Sequence, residues 1–295
     1  MVSESVMNYL MEISIICFVF PVVILMIWRL RSRRNLMPAL WGALIFVFFV
    51  KLLENIPNAL FVGYENPISQ VVRANPILYA VYQGILAAAF EETGRFLAFR
   101  YFITAEKFDN RQTAITYGIG HGGLECMLIL GWTNLQYYMT AVLLNSDEAR
   151  KEMSPGMAEK LGEQFSDMTT ISLVLDGISQ LIFFVLQIAL SIIVYQAVRN
   201  RGVRRYLILY AMWFHFLAYL PRGFYSAGML PQWLSLGLTG VVLAGTLFLA
   251  GGIYRKMGEA EKLREEAAKK KRMQSRSKNW EFAKKKLTNI DSKDE

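Results

Sequence analysis

Two adjacent carboxylates lie inside one of the most apolar stretches of the chain. Glu91 and Glu92 stand in the segment FEETGR, between ILYAVYQGILAAA and FLAFRYFI, and Arg95 follows within one helical turn. A charged side chain at the centre of a membrane-spanning helix costs about 2.5–3.5 kcal/mol on insertion scales. Because Arg95 is three and four residues away, it can pair with one of the carboxylates. The other must be protonated, hydrogen-bonded across helices or bound to a cation.

The chain contains two histidines, and both lie in further apolar stretches. His121 stands in GIGHGGLE, where Glu125 follows four residues later and therefore on the same helical face. His215 stands in YAMWFHFLAYLP. At about 1.5 Å per residue, these polar groups and the Glu-Glu pair reach a similar depth, roughly 14–20 Å from one membrane edge. Unrelated stabilising pairs would have no reason to share a depth, so the sequence predicts one buried site.

These residue types suit hydrolysis. Histidine nitrogens and carboxylate oxygens are ligands that zinc takes, with three protein ligands and a water in a catalytic site. A further carboxylate can act as general base on that water. Beside His121 and His215, the residues leave open which of Glu91, Glu92 and Glu125 would be ligands and which would be the base. A metal-free alternative stays open, because a buried carboxylate beside a histidine can itself activate water.

The elements that must position these groups are apolar blocks of about 20 residues, the length needed to cross a hydrocarbon core. Hydrophobic residues make up 54% of the 295 residues. The blocks lie at about 9–30, 37–63, 76–103, 112–143, 171–198, 205–220 and 233–254. The prediction is an all-α, polytopic transmembrane helical bundle of about seven spans. The first block ends in RLRSRR, which indicates a retained span rather than a cleaved signal peptide.

The distribution of charge predicts the orientation of the bundle. With the N-terminus outside, nearly all Lys and Arg beyond the spans fall on the inside. The inside segments are 29–35, 105–112, 199–205 and the tail from Arg255. We expect a transmembrane domain with the intramembrane site over residues 1–254, and a basic cytoplasmic tail, helical or disordered, over 255–295. The net charge of +8 comes largely from these inside segments, so it does not call for nucleic-acid binding.

The motifs FEETGRFLAF and YGIGHGGLE together resemble the YhfC family of intramembrane metalloproteases. That family is similar to the wider group of CAAX prenyl endopeptidases and bacteriocin-processing proteins. The mark of this group is a Glu-Glu motif with a nearby Arg, then one His in a later span and a second His after it. The resemblance covers the third to the sixth span. Two positions differ from the wider group: EExxR replaces EExxxR, and Tyr219 stands where Asn or Asp often follows the second His.

The resemblance implies a role for each of these residues. Glu91 would be the water-activating carboxylate, and Glu92 and Arg95 would shape its environment. His121 would share the water or metal with Glu91. His215 would complete the site, as a ligand or as a stabiliser of the oxyanion.

The resemblance also implies an activity. Glu125 could be an additional ligand of Zn²⁺, although the wider group includes members proposed to work without metal. The expected function is hydrolysis of peptide bonds in or near the bilayer, in a cavity open to the inner side. Substrates would be membrane-associated peptides or the ends of membrane proteins, in a multi-pass protein of the cell membrane. Two rivals stay open: a carrier of protons or divalent cations, and a non-catalytic immunity or regulatory membrane protein.

Overall fold

The computed structural model describes residues 1–154, 156–199 and 206–291, and no strand is present in this part of the chain. Its α-helices are α1 Glu4–Ser32, α2 Met37–Phe46, α3 Asn55–Asn58, α4 Pro67–Ala74, α5 Pro76–Leu97, α6 Gln112–Glu125, α7 Trp132–Asn145, α8 Asp147–Glu152, α9 Met157–Glu163, α10 Thr170–Arg199, α11 Leu207–Ser226 and α12 Gln232–Asp291. The predicted apolar blocks lie in these helices and in the π-helical stretches that continue them, Val47–Leu53, Ala59–Gly63, Ala98–Phe102 and Cys126–Gly131. The predicted inside segment 199–205 lies outside the described residues except for Arg199.

Four helical stretches within the described residues are long and apolar enough to cross a membrane. They are Glu4–Ser32, Met37–Gly63, Thr170–Arg199 and Gln232–Arg276. Large apolar side chains on α1, such as Ile16 and Val19, are exposed rather than packed against protein. An exposed apolar face of this kind is suited to lipid. The helices confirm the prediction of an all-helical protein over the described residues, with four helical stretches able to span a membrane, whereas the count of seven spans and their orientation stay predictions.

Contacts divide the chain into two units, Met1–Ile253 and Tyr254–Glu295. The first unit contains helices α1 to α11 and the beginning of α12. The second is helical as far as Asp291, the last residue described, and its side chains from 262 to 276 are exposed. The cytoplasmic location of this tail stays a prediction.

Close helix packing surrounds α6 in the first unit. This helix lies against α2 on one side and α10 on the other, while α5 packs against α11. A Cβ atom on Gly118 would lie 2.6 Å from the Cα of Ile188, and one on Gly120 would overlap the carbonyl oxygen of Ala39. Small residues allow helices in lipid to approach each other this closely. The glycines around His121 therefore serve helix packing.

Several helices change their hydrogen-bonding pattern beside the predicted site. α5 continues as a π-helical stretch over Ala98–Phe102, and α6 continues as another over Cys126–Gly131 before α7 begins. The N-terminus of α5 is capped, because the Asn75 side chain accepts a hydrogen bond from the Leu78 amide and Pro76 occupies the first turn. π-helical turns occur frequently at functional sites, and here they follow the turns that carry the charged residues.

Candidate functional site

Four helices bring polar side chains to one buried cluster. α5 supplies three of them, α6 two, and α10 and α11 one each, and every one is at most 1% exposed. They are Glu91, Glu92, Arg95, His121, Glu125, Gln187 and His215. The structure thus brings together all six residues selected from the sequence and adds a seventh, Gln187.

Arg95 pairs with the second carboxylate of the Glu-Glu motif. Its Nη1 donates to both oxygens of Glu92, at 2.9 and 3.0 Å, and its Nη2 donates to the side-chain carbonyl of Gln187. His215 Nδ1 lies 2.7 Å from the same Glu92 oxygen, Oε1. A buried ion pair is tolerated only when its geometry is good and its remaining hydrogen-bonding positions are satisfied. Glu92 is therefore an anchored carboxylate that holds both Arg95 and the ring of His215 in place.

Glu91, by contrast, has its hydrogen-bond partners on other helices. Its Oε2 lies 3.0 Å from His121 Nε2 and accepts a hydrogen bond of 2.8 Å from Gln187 Nε2. Its Oε1 accepts a long hydrogen bond, 3.4 Å, from the Tyr219 hydroxyl. His215 Nε2 lies 3.8 Å from Oε2. Glu91 is thus the carboxylate that faces both histidines.

Gln187 is the residue that sequence reasoning left out of the site. Its Nε2 donates to Glu91 Oε2 and, at 2.7 Å, to Glu125 Oε2, while its Oε1 accepts from Arg95. One amide therefore links both carboxylates to the arginine. The signal in the sequence was a single glutamine within the apolar run LIFFVLQIALSIIV, which fits an ordinary interhelical hydrogen bond equally well.

The cluster also has the composition of a metal centre. Glu91, His121 and Glu125 each offer a ligand atom, and these atoms all lie within 4.8 Å of one another. Two buried ring nitrogens, Nδ1 of His121 and Nε2 of His215, have no hydrogen-bond partner. A buried polar atom without a partner is costly, and a bound ion would relieve that cost at His215.

The surroundings of His215 fit metal binding as well. When its Nδ1–H donates to Glu92, its Nε2 keeps a lone pair on the side of Glu91. A carboxylate that orients a histidine in this way is the usual second partner of a metal-bound imidazole. Imidazole nitrogens and carboxylate oxygens are the donors that zinc takes, so the residues present fit the ion.

The apolar helices and this buried cluster of carboxylates and histidines define an integral membrane protein with a buried polar site. Residues 16–239 match the family described as YhfC intramembrane metalloprotease. The match covers most of the chain, and the chain therefore belongs to the YhfC family, as the two motifs predicted. The chain is also similar to the uncharacterized membrane protein YhfC of Bacillus subtilis (strain 168), with 28% identity over 234 residues, 78% of this chain and 89% of that protein. No solved structure matches the chain significantly. The similarity to the CAAX endopeptidase group stays a prediction.

Proposed function

We propose that this protein is an intramembrane endopeptidase that hydrolyses peptide bonds of membrane-associated peptides or proteins. The observation that carries the proposal is the placement of Glu91, which lies 3.0 Å from His121 and 3.8 Å from His215 in a buried cluster. A carboxylate between two imidazoles combines a proton acceptor with proton donors, as peptide hydrolysis requires. The family description supports the same reaction class.

Each residue of the cluster has a role in this proposal. Glu91 accepts the proton of the attacking water, and His121 shares that water. His215, oriented by Glu92, stabilises the oxyanion or acts as a ligand. Arg95 neutralises Glu92, and Gln187 holds the carboxylates of Glu91 and Glu125 in place. Fixed partners of this kind reduce the reorganisation needed during reaction.

Zn²⁺ is the cofactor that fits these residues. The residues that would hold it are His121, Glu125 and His215, together with Glu91 where another carboxylate acts as the base. When bound, zinc supplies Lewis-acid activation of a water and of the scissile carbonyl. A metal content of one zinc per chain, lost in a His121→Ala, His215→Ala double variant, would support the metal-dependent mechanism. A well-folded protein without metal, prepared without chelator, would favour water activation by Glu91 alone.

The proposal includes seven spans with the N-terminus outside and the C-terminus inside the cell membrane. Four helical stretches are long and apolar enough to cross a membrane. Three more helical stretches have the length of a membrane span: 76–102, 112–145 and 207–226. These three carry Glu91, His121 and His215, whose polar side chains lower the mean hydropathy of the helices that hold them. The lysines and arginines of the inside segments support the orientation.

Cleavage by reconstituted protein tests the activity. Purified protein in lipid vesicles is incubated with a library of membrane-associated peptides, and products are identified by mass spectrometry. We expect Glu91→Gln to lower cleavage by about 10²–10⁴-fold, the usual contribution of a general base. Its control is Glu65→Gln, which changes an exposed glutamate and should leave cleavage unchanged.

Two results would contradict the proposal. One is the absence of any Glu91-dependent cleavage in a broad library, although Glu91→Gln and the unchanged protein unfold at similar temperatures. The other is a flux of protons or divalent cations into sealed vesicles that Glu91→Gln abolishes while no peptide is cleaved, because a carrier would then explain the site.

A further inference from the structure

A polar pocket lies near one end of the bundle, beside α9 and the beginning of α10. Its volume is about 340 Å³. The polar residues that line it include Asn134, Glu163, Asp167, Asp176, Gln180 and Arg222. We refer to it as the α10 pocket. It lies at the end opposite to the 105–111 segment, because Arg199, at the other end of α10, contacts Ile103 and Asp109.

Two buried amides in the wall of this pocket lack partners. Asn134 is 3% exposed and Gln180 is 2% exposed, and neither the Nδ2 of the first nor the Nε2 of the second has a hydrogen-bond partner. A buried donor without an acceptor is destabilising, and such groups are rare in folded proteins. Both amides line a cavity, so a ligand with carbonyl oxygens would satisfy them. The backbone of a polypeptide presents such an oxygen at every residue.

One face of α10 leads from the pocket to the buried cluster. Asp176, Gln180, Phe183 and Gln187 follow at spacings of four, three and four, which places them on one side of the helix. Gln180 belongs to the pocket, and Gln187 donates to the carboxylates of Glu91 and Glu125. The two glutamines are thus two helical turns apart, about 10 Å along the axis.

One face of α11 makes the same connection. His215, Tyr219 and Arg222 are spaced by four and three residues, and Arg222 lines the pocket. The Tyr219 ring lies 5.2 Å from the His215 ring and 5.1 Å from Phe183, and its hydroxyl reaches Glu91. The Arg222 guanidinium lies 5.5 Å from the Phe183 ring centre. The aromatic pair of Phe183 and Tyr219 therefore connects Arg222, in the wall of the pocket, with His215 in the cluster.

The charges of the pocket indicate the kind of polypeptide. Its charged lining residues are three acids, Glu163, Asp167 and Asp176, and one base, Arg222. Only one of the oxygens of Asp176 accepts the 2.9 Å hydrogen bond from Gln232. An acidic cavity attracts a cationic group.

We propose that the α10 pocket binds the polypeptide substrate through a segment that carries a basic residue. The amides of Asn134 and Gln180 donate to its backbone carbonyls, and the acidic residues receive its cationic side chain. The scissile bond then reaches Glu91 past the pair Phe183–Tyr219. This inference rests on the proposed function, and it places the entrance at the end of the bundle opposite to the inner-side cavity expected from the sequence.

Peptide binding tests the inference without cleavage. A fluorescein-labelled nonapeptide of Ala, Leu and Ser with two lysines is titrated against the full-length Glu91→Gln variant in lipid nanodiscs, and fluorescence anisotropy is recorded. Its matched peptide carries two glutamates instead. We expect the lysine peptide to bind more tightly, and Gln180→Leu and Asn134→Leu each to weaken its binding about tenfold. Asp167→Asn with Asp176→Asn should remove the preference for lysine.

The controls separate a lost contact from a lost fold. Gln136→Leu, two residues from Asn134 on the exposed face of α7, should leave peptide binding unchanged. Gln180→Leu replaces an unpartnered buried amide by an apolar group, so its unfolding temperature should not fall. Equal binding of both peptides, or binding unaffected by Gln180→Leu and Asn134→Leu, would overturn the pocket assignment.

Failure of this inference is distinguishable from failure of the proposed function. If the lysine peptide binds with the expected dependence on Gln180 and no peptide is cleaved, the result supports peptide binding in the α10 pocket and contradicts the proposed protease activity. If Glu91-dependent cleavage is found and Gln180→Leu leaves the KM for the peptide unchanged, the result supports the proposed protease activity and contradicts peptide binding in the α10 pocket.

Discussion

Helices α1 and α6 have opposite surroundings. α1 has 29 residues and buries only six of them, while the apolar side chains of Ile15, Ile16 and Val19 are exposed. α6 has 14 residues and buries ten, including His121 and Glu125. The apolar helix faces outward, and the polar one lies between α2 and α10.

The difference follows from the solvent that each helix meets. A lipid chain offers a polar group no hydrogen bond, so a carboxylate is stable there only where protein replaces lipid. Glycines let α6 touch its neighbours, and those neighbours supply the partners, above all Gln187. The polar residues of α6 are therefore stable because close packing brings their hydrogen-bond partners near. Substitutions in α1 and in α6 test this dependence separately.

The largest effect is expected where the partner of a buried charge is removed. Arg95→Met leaves Glu92 buried without its bidentate partner, and we expect the free energy of unfolding to fall by about 3–5 kcal/mol. Unfolding in mixed micelles by SDS titration measures it. Arg100→Met, five residues later and exposed, should change it by less than about 0.5 kcal/mol. Similar losses in both variants would mean that Arg95 does not support the cluster.

A charge placed on the apolar helix should be costly for the opposite reason. Val19→Lys puts an ammonium group on the exposed face of α1, near the middle of the helix. We expect insertion to become less favourable by about 2.5–3.5 kcal/mol. The inserted fraction, measured by glycosylation of flanking acceptor sites in microsomes, reports this change. Val19→Met serves as the control, and equal insertion of both variants would show that this face does not meet lipid.

The sequence made most of this architecture predictable, because its strongest signals are local. The lengths of the apolar blocks predicted long apolar helices. Ionisable residues are rare in those blocks, and this rarity identified Glu91, Glu92, His121 and His215 as candidate site residues. The structure brings these residues together in one cluster. Spacing alone showed that Arg95 could reach either glutamate, whereas in the structure it pairs with Glu92 while Gln187 of α10 contacts Arg95 and His215 of α11 contacts Glu92.

Other features could not be read from the sequence because they depend on contacts between helices. Gln187 resembles Gln180 in sequence, as both are single glutamines in apolar stretches of α10. The first meets Glu91 and Glu125, whereas the second meets the α10 pocket. The two glutamines lie on the same side of α10, so the neighbouring helix at each level decides their partners. At Gln187 that neighbour is α6, packed closely through Gly122, and no pattern along one helix records this contact.

A smaller loss of stability is expected from filling the close contact of α6. Gly120→Ala adds a methyl group where the backbone of Ala39 already lies, and overpacking of this kind costs about 1–3 kcal/mol. Thermal unfolding in detergent measures the change. Gly240→Ala is the matched control, because nothing lies within 4 Å of its Cβ position and the better helix propensity of alanine should stabilise α12 slightly. If both variants unfold at the same temperature, α6 and α2 are not in close contact.

The smallest effect is expected from removal of the Tyr219 hydroxyl, which contacts the polar cluster. Its hydroxyl donates to Glu91 over 3.4 Å, a length at which a hydrogen bond is weak. Tyr219→Phe keeps the ring against Phe183 and His215, so we expect a loss of less than about 1 kcal/mol in unfolding free energy. Tyr219→Ala removes the ring as well and should cost about 3–5 kcal/mol, in line with other large aromatic truncations. Equal losses in the two variants would show that the hydroxyl, and not the packed ring, is what α11 contributes at this position.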